Sequence, residues 1–185
     1  MIVAFSTSSP LASVALIRAD GTVLASGEEL APMRASGACL AILSGLLSSR
    51  GLRLEDAELF VADLGPGSFT GVKVGVTLAK TFAFTHKKLA AGARSFDLVD
   101  ADGVVVLPSK RGEWFVRRPG NEPVRTEELP NEPFSGYGNG IENPVYPRAE
   151  GFTKLLDRLV AVEAERLAPE YLIEPSISKP KVPFQ

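Results

Sequence analysis

Three glycines and a serine in the run Gly65-Pro66-Gly67-Ser68-Phe69-Thr70-Gly71, with Lys73 just beyond, have the composition of a turn that cradles phosphate. Spacing decides against both standard forms. A Walker loop needs a glycine, four residues, then Gly-Lys followed by Ser or Thr. Here five residues separate Gly65 from Gly71, Val72 follows, and Lys73 arrives one place late. The dinucleotide fingerprint Gly-x-Gly-x-x-Gly starts correctly at Gly65 and Gly67, but the third glycine is Gly71, one residue too far. Two possibilities stay open. Gly65, Gly67, Ser68 and Thr70 could hold an anion on the free amides that begin the following helix, or the turn is purely structural.

Other chemistry is scarce. His86 is the only histidine and Cys39 the only cysteine, so the usual zinc ligand sets cannot be assembled. A Ser-His-Asp triad would have to use His86, and no Gly-x-Ser-x-Gly elbow accompanies it. His86, beside Lys87 and Lys88, is expected to interact with the carbonyls that end a helix. Cys39 sits in a helical apolar pattern, as a small core residue would. The acidic pairs Glu28-Glu29, Glu55-Asp56 and Glu127-Glu128 fall at element ends, where solvated charge is expected. The residues therefore predict neither autonomous catalysis nor a metal or cofactor. Arg111, Arg117, Arg118 and Arg125 form either a nucleic-acid patch or scattered surface charge.

Composition is that of a globular chain: 185 residues, 45% apolar, 23% charged, net charge −2. Bulk charge gives no support for a nucleic-acid or membrane surface. No apolar run approaches the ~20 residues that span a bilayer, and Met1–Ser9 lacks the plan of a secretion signal. A cytoplasmic setting is expected.

The elements that carry these residues follow from periodicity. Ile2–Phe5 predicts a buried strand, and Ser13–Ile17 and Thr22–Ser26 flank the hairpin signal Asp20-Gly21. Together they predict an antiparallel meander. A helix is predicted over residues 36–49, with Leu40, Leu43 and Leu47 on one side, small residues Ala38, Ala41 and Gly45 nearby, and Gly51 as its stop. Glu58–Leu64 predicts a strand that runs into the glycine turn and a long helix to about residue 86, capped by Ser68 or Thr70. On that helix Gly71, Gly75, Ala79 and Ala83 form one stripe at spacing four, beside Val72 and Val76; Val74, Leu78 and Phe82 form a bulky one. A helix apolar nearly all round is covered from more than one direction. The pattern predicts an antiparallel sheet continued by parallel strands with right-handed crossovers.

Arg94–Val99 predicts a helical turn, and Val104–Leu107 and Trp114–Arg117 predict strands. Residues 118–148, rich in Pro, Gly and Asn, predict short strands and loops. A helix is predicted over 150–167, its apolar face made of Leu155, Leu156, Leu159, Val160 and Val162. Pro169 would end it, with a proline-rich tail beyond. Two units follow, residues 1–100 and 101–185.

The block GPGSFTGVKVGVTLAK resembles the signature of the TsaB (YeaZ) family, in which Gly-Pro-Gly-Ser-Phe-Thr-Gly precedes Leu-Arg-Ile-Gly and a small-residue helix. The opening MIVAFSTSSPLASVALIRADG, the stretch Ser109–Trp114 and the segment Ala168-Pro169-Glu170-Tyr171-Leu172 are similar to that family too. The resemblance implies the α/β actin-like ATPase and sugar-kinase superfold, with two ribonuclease-H-like lobes, the second reduced. It implies a non-catalytic role in placing threonylcarbamoyl on tRNA adenosine, beside a catalytic TsaD-like subunit and a TsaE-type ATPase. tRNA would be reached through the complex, and a homodimer is expected when the partner is absent. Docking would use the two helices of the first lobe, at Ala38, Ala41, Ile42 and Gly45 on one and Gly71, Val72, Gly75, Val76, Ala79 and Ala83 on the other. The alternative is a small nucleotide-dependent phosphotransferase of the same superfold. Three positions depart from the family pattern. Ser6-Thr7-Ser8 stands for Asp-Thr-Ser, Ala35-Ser36 for His-Ser, and Ile173 for Arg. At the first of these, the acid helps true kinases of the superfold hold magnesium.

Overall fold

The computed structural model describes residues 1–173. Its first sheet contains β1 (Ile2–Ser6), β2 (Leu11–Ile17), β3 (Val23–Leu30), β4 (Leu59–Asp63) and β5 (Leu89–Ala93), in the order β3-β2-β1-β4-β5. The first three pair antiparallel, with Ile2 opposite Ile17 and Leu11 opposite Leu30. β4 and β5 then add in parallel, with Ile2 beside Leu59 and Leu59 beside Leu89. This is the ribonuclease-H-like order. At the β2–β3 turn the Thr22 amide donates to Asp20 Oδ1 at 2.9 Å, and Gly21 takes a φ of 87° that favours glycine.

Every residue of β1 and β2 is buried, because both faces of this sheet are covered. Alternation assigns each side. Val3, Phe5, Val14, Leu16, Phe60 and Ala62 face the helices α1 (Ala35–Arg50) and α2 (Phe69–Thr85). Ile2, Ala4, Ala15, Ile17, Val61 and Ala91 face a second cluster with Phe152 and Leu155. Gly51, left-handed at φ 60°, ends α1 by donating its amide to Leu47 and Ser48 carbonyls, as the sequence predicts. Ser68 caps α2 by accepting the Gly71 amide at 3.2 Å. On α2, Phe82 stacks against Phe5 and Phe60, with centroids 6.0 and 5.9 Å away. His86, expected to reach terminal carbonyls, instead lays its ring over Phe60 at 6.1 Å.

A short α3 (Ser95–Val99) leads to the second sheet, ordered β8-β7-β6-β9 from β6 (Val105–Pro108), β7 (Trp114–Arg117), β8 (Val124–Thr126) and β9 (Ser135–Gly136). It repeats the plan of the first on a smaller scale: β6, β7 and β8 form a meander, and β9 adds parallel to β6. The mixed sheets give the two-lobed α/β architecture with a reduced second lobe.

The helix predicted over residues 150–167 does not form. Ala149–Lys154 and Ala164–Arg166 are 3₁₀ turns, and between them Val162 pairs antiparallel with Ala90 at the edge of β5. The apolar residues go to opposite sides of the first sheet. Phe152 and Leu155 lie on one face, whereas Val162, Ala164 and Leu167 join the cluster on the helix side. A straight helix cannot wrap an edge in this way. Residues 149–167 thus pack on the first sheet, although they follow the second in sequence. The proline-rich tail from residue 174 lies outside the described residues.

Candidate functional site

The glycines of α2 face inward. A Cβ on Gly71 would strike the Thr7 carbonyl, and one on Gly75 would sit 2.7 Å from Thr7 Oγ1. Thr7 in turn donates its hydroxyl to the Gly71 carbonyl at 2.8 Å. Small residues are needed here so that α2 can lie directly on the end of β1. Gly71, Val72, Gly75, Val76, Ala79 and Ala83 are all buried within the chain. Their placement on a docking surface is therefore corrected: this stripe packs the helix on its own sheet. Periodicity predicts that a small stripe exists, but not which side of it meets another chain.

The open face of the helices is elsewhere. On α1, a Cβ on Gly37 or Gly45 would meet nothing within 4 Å. Leu40, Ala41, Ser44 and Ser48 are exposed around them. Gly37, Ala41 and Gly45 thus form a free small-residue stripe at spacing four. Ala38 is buried, and Ile42 is half-buried, its methyl filling the space a Gly27 side chain would need. On α2, Val74, Leu78 and Phe82 are half-covered, with Thr70, Lys73, Thr77 and Thr81 exposed. The face continues into an apolar groove of about 430 Å³ beside the first turns of both helices, lined by Ala31, Pro32, Met33, Thr70 and Val74. Met33 projects fully into solvent on a left-handed backbone, φ 64°.

The glycine-proline turn is occupied by the chain itself. The Gly65 amide donates to Asp63 Oδ1 at 2.9 Å, and the Ser68 amide to the Ser8 carbonyl at 2.7 Å. The Gly71 amide goes to the Ser68 hydroxyl, and Gly67 is pressed against Ser8, where a Cβ would lie 2.7 Å from the Ser8 Cβ. Gly65, Gly67 and Ser68 tie the start of α2 to the β1–β2 turn, and Thr70 stands exposed on its first turn. Three of the turn's amides thus serve Asp63, Ser8 and Ser68.

Sequence reasoning missed Asp63, the last residue of β4. It is 1% exposed, with no cationic side chain among the groups acting on it. Ser6 Oγ and Ser8 Oγ donate to Oδ2 at 2.8 and 2.5 Å; Ser95 Oγ and the Gly65 amide donate to Oδ1 at 2.5 and 2.9 Å. Ser6 also reaches the Pro147 carbonyl at 3.1 Å, and Tyr137 Oη lies 3.5 Å from the Ser8 carbonyl. The cage joins the first sheet, α3 and the loops of the second sheet. Desolvation pushes the Asp63 carboxyl above its usual range, against the opposing pull of its donors. Burial, with Asp63 nearby, raises the Tyr137 phenol as well. A signal was available: an acid closing the apolar run Phe60-Val61-Ala62, opposite a Ser6 that replaces an acid. Four donor groups from within the chain lie within hydrogen-bond distance of Asp63, two at each oxygen. Among the described residues no group of three His, Cys, Asp or Glu side chains is arranged to hold a metal. Burial moves the Cys39 thiol up to about 12, so it stays protonated.

The four arginines separate. Arg117 is buried and donates to the Ala101 carbonyl at 3.0 Å, to the Phe96 carbonyl at 3.3 Å and to the Asp100 carbonyl, gathering the end of α3. Arg118 pairs with Glu132 at 2.7 Å and Arg125 with Glu113 at 3.1 Å. Arg111 alone of the four has no ion pair among the described residues. No helix among those residues is long and apolar enough to cross a membrane.

Comparison with known proteins gives a consistent set of likenesses. Residues 29–99 match the family model described as TsaD, tRNA N6-adenosine threonylcarbamoyltransferase. The tRNA threonylcarbamoyladenosine biosynthesis protein TsaB of Bacillus subtilis is 33% identical over 62% of this chain and 52% of its own length. Its namesake in Haemophilus influenzae is 29% identical over 68% of this chain and 56% of its own length. The chain spans about half the length of these curated relatives. Two solved structures share the fold nearly end to end. A Pseudomonas aeruginosa protein with similarity to peptidase YeaZ superimposes at a TM-score of 0.78, 18% identical, over 93% of this chain and 99% of that one. YeaZ from the same organism superimposes at 0.75, 21% identical, over 92% and 99%.

Proposed function

The chain belongs to the TsaB (YeaZ) family, and from that premise we propose that it is a non-catalytic subunit of the machinery that makes threonylcarbamoyladenosine in tRNA. Its task is to dock on the catalytic TsaD-like subunit through α1 and α2 and to stabilise it. A TsaE-like ATPase completes the assembly, tRNA modification takes place on the complex in the cytoplasm, and the same face pairs two copies when the partner is absent. The observation that carries this reading is the open stripe Gly37, Ala41 and Gly45, bordered by Leu40 and by half-covered Val74 and Leu78 on α2. Small residues at spacing four let a second helix approach closely, and the flanking apolar side chains supply area to bury. Two helices offered side by side suit the pair-on-pair packing that the family resemblance implies.

Support for a non-catalytic role comes from Asp63 and the glycine turn. The buried Asp63 carboxylate is hydrogen-bonded by three serines and the Gly65 amide, and the Ser68 amide of the turn bonds Ser8. The phosphotransferase alternative would need both groups free. Co-expression of tagged chain with the TsaD-like subunit tests the docking. Ala41→Trp should abolish co-purification while leaving the chain folded; retention of the partner at wild-type yield would overturn the assignment of this face.

A further inference from the structure

A cleft of about 880 Å³ lies between the β6–β7 hairpin and the loop 137–146, closed on one side by Pro10 from the β1–β2 turn. Its walls are aromatic and proline. Tyr137 and Tyr146 meet at a tilt of 41°, with centroids 4.9 Å apart. The indole of Trp114 rests on the backbone of Gly138, where an added Cβ would lie 2.7 Å from Cη2, so the ring is held in place, and the residue stays partly exposed. The mouth is basic. The hairpin tip Lys110-Arg111-Gly112 is held by the Glu113 amide bonding the Lys110 carbonyl at 2.9 Å and the Ser109 amide bonding the Glu113 carbonyl at 3.0 Å. Lys110 and Arg111 project into solvent with no ion pair among the described residues. Behind them the Ser109 hydroxyl is buried without a hydrogen-bond partner among those residues. Glu113 is neutralised by Arg125 at 3.1 Å, leaving Glu127 as the one other acid on the lining.

We propose that this cleft binds an unstacked nucleotide of a single-stranded RNA segment, its phosphate on Lys110 and Arg111 and its base against Trp114 and Tyr146. Aromatic faces beside paired cations recognise exposed bases in single strands and loops, whereas a duplex hides those faces. The inference rests on the proposed role in tRNA modification only for the expectation that RNA is the ligand's source; the cleft stands without it. It also assigns Arg111, which the sequence leaves open between patch and scattered charge.

Trp114 is the only tryptophan of the chain, so its fluorescence reports on this cleft and nowhere else. The full chain is titrated with a short single-stranded oligoribonucleotide, the same sequence as a duplex, and free AMP. The single strand should quench Trp114, and log K should fall with log salt at a slope of about 0.7, the value for one phosphate neutralised on a single strand. Lys110→Ala with Arg111→Ala should weaken binding about tenfold or more and flatten that slope toward zero, while Lys110→Arg with Arg111→Lys should restore both. Three results would overturn the site: no quenching, equal quenching by duplex, or no response to the alanine pair. AMP binding as tightly as the RNA would overturn the RNA assignment. The alanine variant should still co-purify with the TsaD-like subunit, because Lys110 and Arg111 belong to the β6–β7 hairpin and not to α1 or α2. Lost pairing by Ala41→Trp with RNA binding intact leaves this site standing, and failure of RNA binding alone leaves the docking proposal standing.

Discussion

Asp63 concentrates the energetic consequences at the residue scale. Four donors converge on it, and truncation would leave the Ser8 hydroxyl and the Gly65 amide without their acceptor in a buried space. Asp63→Ala should therefore lower the unfolding free energy by about 1–3 kcal/mol, read from urea midpoints. Asp63→Asn keeps the shape and separates out the charge. Because burial raises the folded-state pKa above the ordinary 3.8, the folded chain binds this proton more tightly than the unfolded one. The stability tied to protonated Asp63 is full below 3.8 and is lost as pH rises through the raised folded value. Wild type should accordingly gain on Asp63→Asn as pH falls through that window, and the gap should be flat above it. A gap independent of pH throughout would contradict the shift. The cage was illegible in the sequence for a physical reason: its members, at positions 6, 8, 63 and 95, meet only because β1 pairs in parallel with β4 and α3 turns back across their ends. Periodicity carries no information about such a meeting. Cys39 is the opposite case, since its burial follows from a local helical pattern and the structure agrees.

Elements with strong local signals were legible, and those that depend on their surroundings were not. The meander, α1 with its Gly51 stop and α2 with its Ser68 cap all follow from alternation, spacing and end residues. The segment 150–167 carries helix-like spacing but wraps a sheet edge, and tertiary contacts override propensity there. The glycines of the two helices divide by the same logic, because spacing four marks a stripe without saying which neighbour it meets. Gly75→Leu places a side chain against Thr7 and should destabilise the chain by about 1–3 kcal/mol or prevent folding, with thermal unfolding as the readout. Gly45→Leu has open space around it and replaces a poor helix former in mid-helix. It should raise stability by up to about 1 kcal/mol. Equal effects of the two substitutions on stability would contradict the division into an inner and an outer stripe.

On the scale of the whole molecule, two sheets of the same plan share one set of fasteners: Asp63 with its serines, Arg117 on the end of α3, and the returning segment 149–167. These leave the outer face of α1 and α2 uncommitted, in a chain whose relatives bear the name of a tRNA modification pathway. The fold class and this helix pair were legible from the sequence, whereas the orientation of each helix about its own axis required the sheet beneath it. That orientation makes a forecast with opposite signs for folding and pairing. The measurement that bears most directly on docking is the thermal midpoint of Gly45→Leu alongside its co-purification with the TsaD-like subunit. A more stable chain that no longer retains the partner is the predicted result. Undiminished pairing by that stabilised variant would contradict the docking of this face.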